Sequence, residues 1–318
     1  MSCVREKKNN TVPDEATSKD LAKLSELINK EPENAGLYYK RALIYLDKNN
    51  NDNALNDVYK AIGIDNKNSD YFCLLADILF ATGKLKKSTE AIEQAIALKP
   101  SNTNALLKKA ELFFFYKKYD STFYYIDKTM KLDKNNNKAL FMRAMAFKEA
   151  GDTNKAINDL NTVIENENNH IEAYMQLGLL YSIKKNKLAL DYFNNVLNID
   201  PTNIEALYAK AMFFQESAEY NKAIETYTSI INIKPDYKFA YFNLGYIHLV
   251  YLKVYNVAID YFSKAIAVAP DYYEAFYNRG YSYELRGDIF NAKKDYKTAL
   301  ELKTNYQKAI DGLNRIER

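Results

Sequence analysis

The sequence predicts an all-α fold built as an array of antiparallel helix pairs. Three observations predict it. Five of the six prolines, Pro32, Pro100, Pro201, Pro235 and Pro270, are separated by 68, 101, 34 and 35 residues, multiples of 34 to within one. A fixed period of this length is the footprint of stacked two-helix units. Between the prolines, small and large residues recur at spacings of three and four, which places each set on one helical face. Polar clusters such as 48–51 and 151–152 interrupt the apolar pattern midway through each period, where the chain must turn back.

Aligned on these marks, residues 35–306 divide into eight units: 35–68, 69–102, 103–136, 137–170, 171–203, 204–237, 238–272 and 273–306. The eighth position is always small: Ala42, Ala76, Ala110, Ala144, Gly178, Ala211, Gly245 and Gly280. A second small site lies in the second half of the unit, as Ala54, Ser88, Thr122, Ala156, Ala189, Ala223, Ala258 and Ala292. Four residues after it stands a bulky residue: Val58, Ile92, Ile126, Leu160, Phe193, Tyr227, Phe262 or Tyr296. Two antiparallel helices approach to about 8 Å only where facing residues are small, and large neighbours then fill the flanks. Each unit therefore reads as a helical hairpin. The proline follows the second helix and stops it. An Asn or Ser before the next helix supplies its cap.

The ends extend the scheme. Residues 20–30, with Leu21, Leu24, Leu27 and Ile28 on one face, read as a lone second helix, so 19–34 is expected to be a capping half-repeat. Residues 307–318, with Ala309, Ile310, Leu313 and Ile316, are expected to cap the far end. The leader 1–18 is polar and unpatterned, the composition of a disordered segment. The unit of 33 residues is expected to shorten its turn at 183–187, and the unit of 35 to lengthen its turn at 252–256. The Asn-rich stretches 49–53, 135–137 and 166–169 read as turns with left-handed geometry.

The segment AFYNRGYSYELRGDIFNAKKDYKTALEL at 275–302 resembles the tetratricopeptide-repeat pattern nearly throughout, and the match recurs in register across all eight units. The resemblance implies a right-handed superhelical solenoid. Arg41, Lys109, Arg143 and Lys210 depart from it where the family often has Leu, and Asn66, Lys134, Asn168 and Thr304 replace the proline. It also implies a non-enzymatic scaffold or adaptor that takes a protein or peptide partner on the inner face, lined by positions 2, 5, 9, 12 and 13 of each first helix. On this chain those positions give the groove residues Tyr39, Phe141, Met175, Tyr208, Met212, Phe242, Tyr246, Tyr277 and Tyr281, and an acidic rim of Asp77, Glu111, Glu149, Glu172, Glu205 and Glu216. Such a surface suits a peptide or helix with apolar anchors and basic flanks. The family's carboxylate clamp, Lys or Arg at position 5 with Asn at position 9, does not occur here.

Composition narrows the function classes. The 318 residues carry 44 basic and 41 acidic side chains, a formal charge of +3, which disfavours a nucleic-acid-binding helical repeat. Cys3 and Cys73 leave no metal-binding pattern, and His170 and His248 belong to different units. No metal, cofactor or catalysis is expected. No apolar run reaches the roughly 18 residues of a membrane helix. As written, the expectation is a cytoplasmic protein. Ser2–Cys3 followed by a charged leader also resembles the mature start of a bacterial lipoprotein. Cys3 is thus the candidate lipidation residue, and the alternative is a tethered accessory subunit of cell-envelope or glycosyl-transfer machinery, facing periplasm or exterior.

Overall fold

The computed structural model describes residues 15–317, and every regular element among them is a helix. Helix α1 (Glu15–Lys30) begins within the stretch expected to be leader. Cys3 lies outside the described residues. Eight hairpins follow: α2 (Ala35–Asp47) with α3 (Asn51–Ile64), α4 (Ser69–Ala81) with α5 (Leu85–Leu98), α6 (Thr103–Phe115) with α7 (Tyr119–Leu132), and α8 (Asn137–Glu149) with α9 (Thr153–Asn166). Then come α10 (Ile171–Ile183) with α11 (Leu188–Ile199), α12 (Ile204–Glu216) with α13 (Tyr220–Ile233), α14 (Lys238–Tyr246) with α15 (Tyr255–Val268), and α16 (Tyr273–Arg286) with α17 (Ile289–Leu302). Helix α18 (Gln307–Ile316) closes the series. Every hairpin starts at the residue that opens a period. The helices form two compact units, one ending at Asp159 and one starting at Leu160, so the division falls inside α9.

Within each unit the small-to-large pattern is the core. The alanines at both small sites are essentially inaccessible, and so are Val58, Ile92, Ile126, Leu160, Phe193, Tyr227, Phe262 and Tyr296. Glycine stands at the first small site only where the bulky residue of the repeat is aromatic, although Ala211 shares its repeat with Tyr227. Ala144 belongs to the same repeat as Leu160, whereas a Cβ on Gly178 would collide with the Phe193 ring and one on Gly245 would stand 2.8 Å from Phe262. Tyr296 lies against two glycines: a Cβ would stand 3.0 Å from its ring at Gly280 and 2.7 Å at Gly312. Gly312 thereby lets α18 seat on the last hairpin.

The cations that replace leucine are tied into this core. Arg41 donates from Nε and Nη2 to the two oxygens of Asp57, each at 2.7 Å, and from Nη1 to Ser25 Oγ at 2.9 Å. Arg143 makes the same fork with Asp159. Arg279 repeats it with Asp295, adding a 3.1 Å bond to Ser263 Oγ. Lys109 and Lys210 reach instead to the preceding repeat, to Glu93 Oε1 at 2.6 Å and Asn194 Oδ1 at 2.8 Å. Where position 7 is Leu75, Leu177 or Leu244, position 23 is Ala91, Tyr192 or Tyr261, and no carboxylate is placed there.

The two odd-length repeats depart from expectation. The extra residue of the 35-residue unit sits before the turn, as a π-helical turn at Ile247–Tyr251 that continues α14, with Leu252 N–H donating to Ile247 O at 3.1 Å. A single inserted residue fits most cheaply by widening one helical turn. In the 33-residue unit the loss shortens α11 to 12 residues. Of the three Asn runs only 49–53 holds a left-handed residue, Asn49. Each mid-repeat turn holds one: Asn49, Gly83, Lys117, Gly151, Lys185, Ala218, Lys253 and Gly287. Asn136 instead caps α8, its Oδ1 accepting from Ala139 N–H at 2.9 Å.

Candidate binding site

The residue before each first helix decides how that helix is capped. Asn68, Asn102, Asn136, His170 and Asn203 all accept a backbone N–H within the first turn of the helix that follows. Before the first helices of the last two repeats and before α18 this position is Tyr237, Tyr272 and Tyr306, and none makes a side-chain cap bond. A phenol cannot reach back as Asn does. These rings instead lie on the first-helix face, and they are the residues that the repeat-position reading missed. Three consecutive tyrosines at an Asn position were the available signal.

In the C-terminal unit the result is a chain of aromatic contacts. Tyr208 lies 5.8 Å from Tyr237 between ring centroids, Tyr237 lies 5.6 Å from Phe239, and Phe239 lies 6.1 Å from Tyr272. Tyr272 continues to Phe242 at 5.1 Å, and Phe242 is parallel to Tyr246 at 6.5 Å. On the last repeat Tyr277 contacts Tyr306 at 5.5 Å and lies parallel to Tyr281 at 6.2 Å. These rings are half-buried, and Phe239 is 42% exposed, so they remain open to a ligand. Tyr208 Oη accepts from the buried Asn243 Nδ2 at 3.1 Å, which fixes the ring at the head of the chain. Burial, with Tyr277 and Glu274 close by, pushes the Tyr306 phenol up to about 12, and burial and Glu274 raise Tyr272 as well. Both therefore stay neutral O–H groups at neutral pH.

The remaining groove positions are placed unevenly. Met175 is a core residue, 5% exposed and packed with Ala189, Phe193, Val196 and Ala206, so it offers no surface to a ligand and leaves the groove set. Met212 is partly buried against the cluster that contains Tyr227. Tyr281 carries the Arg315 guanidinium 5.4 Å above its ring. In the N-terminal unit Tyr39 contacts Tyr71 at 5.2 Å, while Cys73 and Leu107 at the same repeat position are buried. Burial pushes the Cys73 thiol up to about 12, an unreactive neutral group. Phe141 is half-buried.

The acidic rim is not uniform. Asp77 is ion-paired with Lys108, and Glu172 stands 3.4 Å from His170 Nδ1. Glu111, Glu149, Glu205 and Glu216 are exposed. Lys238 enters the aromatic chain itself, its ammonium 4.8 Å above the Tyr272 ring and 5.4 Å above Phe239. Cation–π attraction of this kind holds a cation against an aromatic face. Among the described residues no group of three or more His, Cys, Asp or Glu could hold a metal ion. No helix among them is long and apolar enough to cross a membrane.

Comparison with known proteins agrees with this architecture. Two family profiles described as tetratricopeptide repeat match the chain, one at residues 35–68, 69–102, 204–237, 240–272 and 273–306 and the other at 138–167. A TPR repeat-containing protein of Methanocaldococcus jannaschii, MJ1428, is 26% identical over 64% of this chain and 35% of its own length. DnaJ homolog subfamily C member 3 of Homo sapiens is 22% identical over 66% of this chain and 44% of its own. The chain thus spans less than half the length of these relatives. The crystal structure of the C-terminal part of a TPR repeat-containing protein from Cytophaga hutchinsonii superposes with a TM-score of 0.65 at 21% identity, over 76% of this chain and 99% of that one.

Proposed function

The chain belongs to the tetratricopeptide-repeat family, whose fold suits protein–protein interaction, and on that premise we propose that it is a scaffold or adaptor whose C-terminal unit binds a peptide or helix along its first-helix face. The observation that carries this reading is the chain of half-exposed rings from Tyr208 through Tyr237, Phe239 and Tyr272 to Phe242. Tyr and Phe present large rigid area with few rotatable bonds, the properties of interface anchors. The exposed carboxylates of Glu205 and Glu216 stand on the same first helix as Tyr208, so a partner with apolar anchors and basic flanks suits the face.

Selection of a displayed peptide library on the intact chain tests this. Enriched peptides should pair aromatic or aliphatic anchors with Lys or Arg. Their affinity should fall as salt rises and drop tenfold or more, roughly the loss of one interface hot spot, when Phe239 and Phe242 are changed to Ala. Acidic consensus peptides, or unchanged affinity in the double variant, would refute the reading.

A further inference from the structure

A second surface lies on the mid-repeat turns of the C-terminal unit, meeting the aromatic chain only at its end, where the Tyr246 ring lies 6.0 Å from Tyr251. Phe290 is 80% exposed and Ile183 78%, and both stand at these turns. Leu188, Val250, Tyr251, Leu252, Val254 and Ile289 are exposed beside them. The turns adjoin one another. Lys187 is within electrostatic reach of Glu219, Tyr220 stacks on Tyr251 at 4.4 Å, and Arg286 Nη1 donates to Asn256 Oδ1 at 3.0 Å. The opposite edge differs, because the turns between repeats expose Pro201, Thr202, Pro235, Asp236, Pro270 and Asp271.

Cations are set among these apolar tips in a costly way. Lys185 and Lys253 adopt φ of 52° and 57°, in the left-handed region where a Cβ is strained. Gly83, Gly151 and Gly287 show the unstrained choice at the corresponding turns. Lys117 in the N-terminal unit has the same geometry and is likewise preceded by exposed rings, Phe115 and Tyr116. Wherever lysine holds the left-handed position, apolar side chains stand exposed beside it. Ala218, the other non-glycine residue in this geometry in the C-terminal unit, stands at a turn with no exposed large apolar side chain, so it is the pairing of lysine with apolar tips, not the strain alone, that marks this edge. Two of the carboxylates at this edge are occupied internally. Asp288 caps Asn291 N–H and pairs with Arg286, and Glu219 pairs with Lys222.

We infer that this turn edge of the C-terminal unit rests on an anionic lipid bilayer. Side chains that are four-fifths exposed stand clear of their own surface. A bilayer interface accepts them without a matching recess, while interspersed lysines meet anionic headgroups.

Flotation of the intact chain with vesicles of equal parts phosphatidylcholine and phosphatidylserine, against phosphatidylcholine alone, tests the inference. The chain should float with the mixed vesicles only. Ile183→Ser with Phe290→Ser should abolish flotation without changing the melting temperature. Lys185→Gly with Lys253→Gly should weaken vesicle binding, by roughly five-fold for each lysine, while raising the melting temperature, which separates lost binding from lost folding. Alanine at Phe239 and Phe242 should leave flotation unchanged. The inference fails if the chain does not float, if it floats equally with phosphatidylcholine alone, or if the glycine variant binds vesicles as wild type does. It also fails if the chain stays with the aqueous phase and instead self-associates through Ile183 and Phe290, which would make the edge a contact between copies.

Discussion

Arg279 grips Asp295 with two parallel hydrogen bonds, Nε to Oδ2 at 2.7 Å and Nη2 to Oδ1 at 2.8 Å, and Asp295 is 3% exposed. The pair joins α16 to α17 inside one hairpin. Removing one partner of such a pair leaves a buried charge without compensation, whereas replacing both is often neutral. Arg279→Leu alone should therefore destabilise the C-terminal unit by about 3–5 kcal/mol. Combined with Asp295→Ala it should recover most of that, because Leu75 and Ala91 already occupy the equivalent positions. A double-mutant cycle by urea unfolding measures the coupling, and additive losses would contradict the account.

Gly178→Ala forces a Cβ into the Phe193 ring. Overpacking of this kind costs about 1–3 kcal/mol. Adding Phe193→Leu should restore stability, since Ala144 and Leu160 form the same combination in another repeat. Thermal melting of the single and double variants checks both halves of the expectation.

Tyr208→Phe should cost about 1–3 kcal/mol by leaving the buried Asn243 amide without its partner. Asn243→Leu in the same chain should lose much less, because no polar group is then stranded. Comparing the two by denaturant titration distinguishes a hydrogen bond that matters from a ring that merely packs.

Glu284 ties the final helix down. It accepts from Arg315 Nε at 2.5 Å, from Arg315 Nη2 at 2.8 Å and from Tyr296 Oη at 2.5 Å. Burial pushes its carboxyl up, but the hydrogen bonds from Arg315 and Tyr296 outweigh it and hold the group below the ordinary glutamate value. A lowered folded-state pKa contributes stability above the unfolded value, and that contribution disappears as pH falls through the folded one. Wild type and Glu284→Gln should therefore differ in melting temperature at neutral pH and converge below about pH 4, the range of a free glutamate. Equal melting at neutral pH would show that the carboxylate holds nothing.

The site was legible in part. Tyr208, Phe242, Tyr246, Tyr277 and Tyr281 could be named from repeat position alone, and they lie in the half-exposed ring contacts. Met175 occupies the same repeat position as Tyr208 yet is buried, because Phe193 and its neighbours close over it. Position within the repeat says which way a side chain leaves its helix, and the neighbouring helices decide whether it reaches water. Tyr237, Tyr272 and Tyr306 escaped notice because the position is ordinarily a cap, a role defined by polarity and lost when a ring replaces it. The ion pairs escaped for a related reason: Arg41 and Asp57 are sixteen residues apart, and no local periodicity links them.

The helix pairs and the residue at which each pair opens were determined by the sequence itself. A helix is specified by bonds four residues apart and by small and large residues at spacings of three and four, and both are local. Tertiary structure decided the rest: that position-7 arginines meet aspartates on the facing helix, that an inserted residue becomes a π-helical turn at Ile247–Tyr251, and that lysine takes left-handed geometry at Lys185 and Lys253. Each depends on atoms brought close from distant positions, where packing and electrostatics override what neighbouring residues prefer.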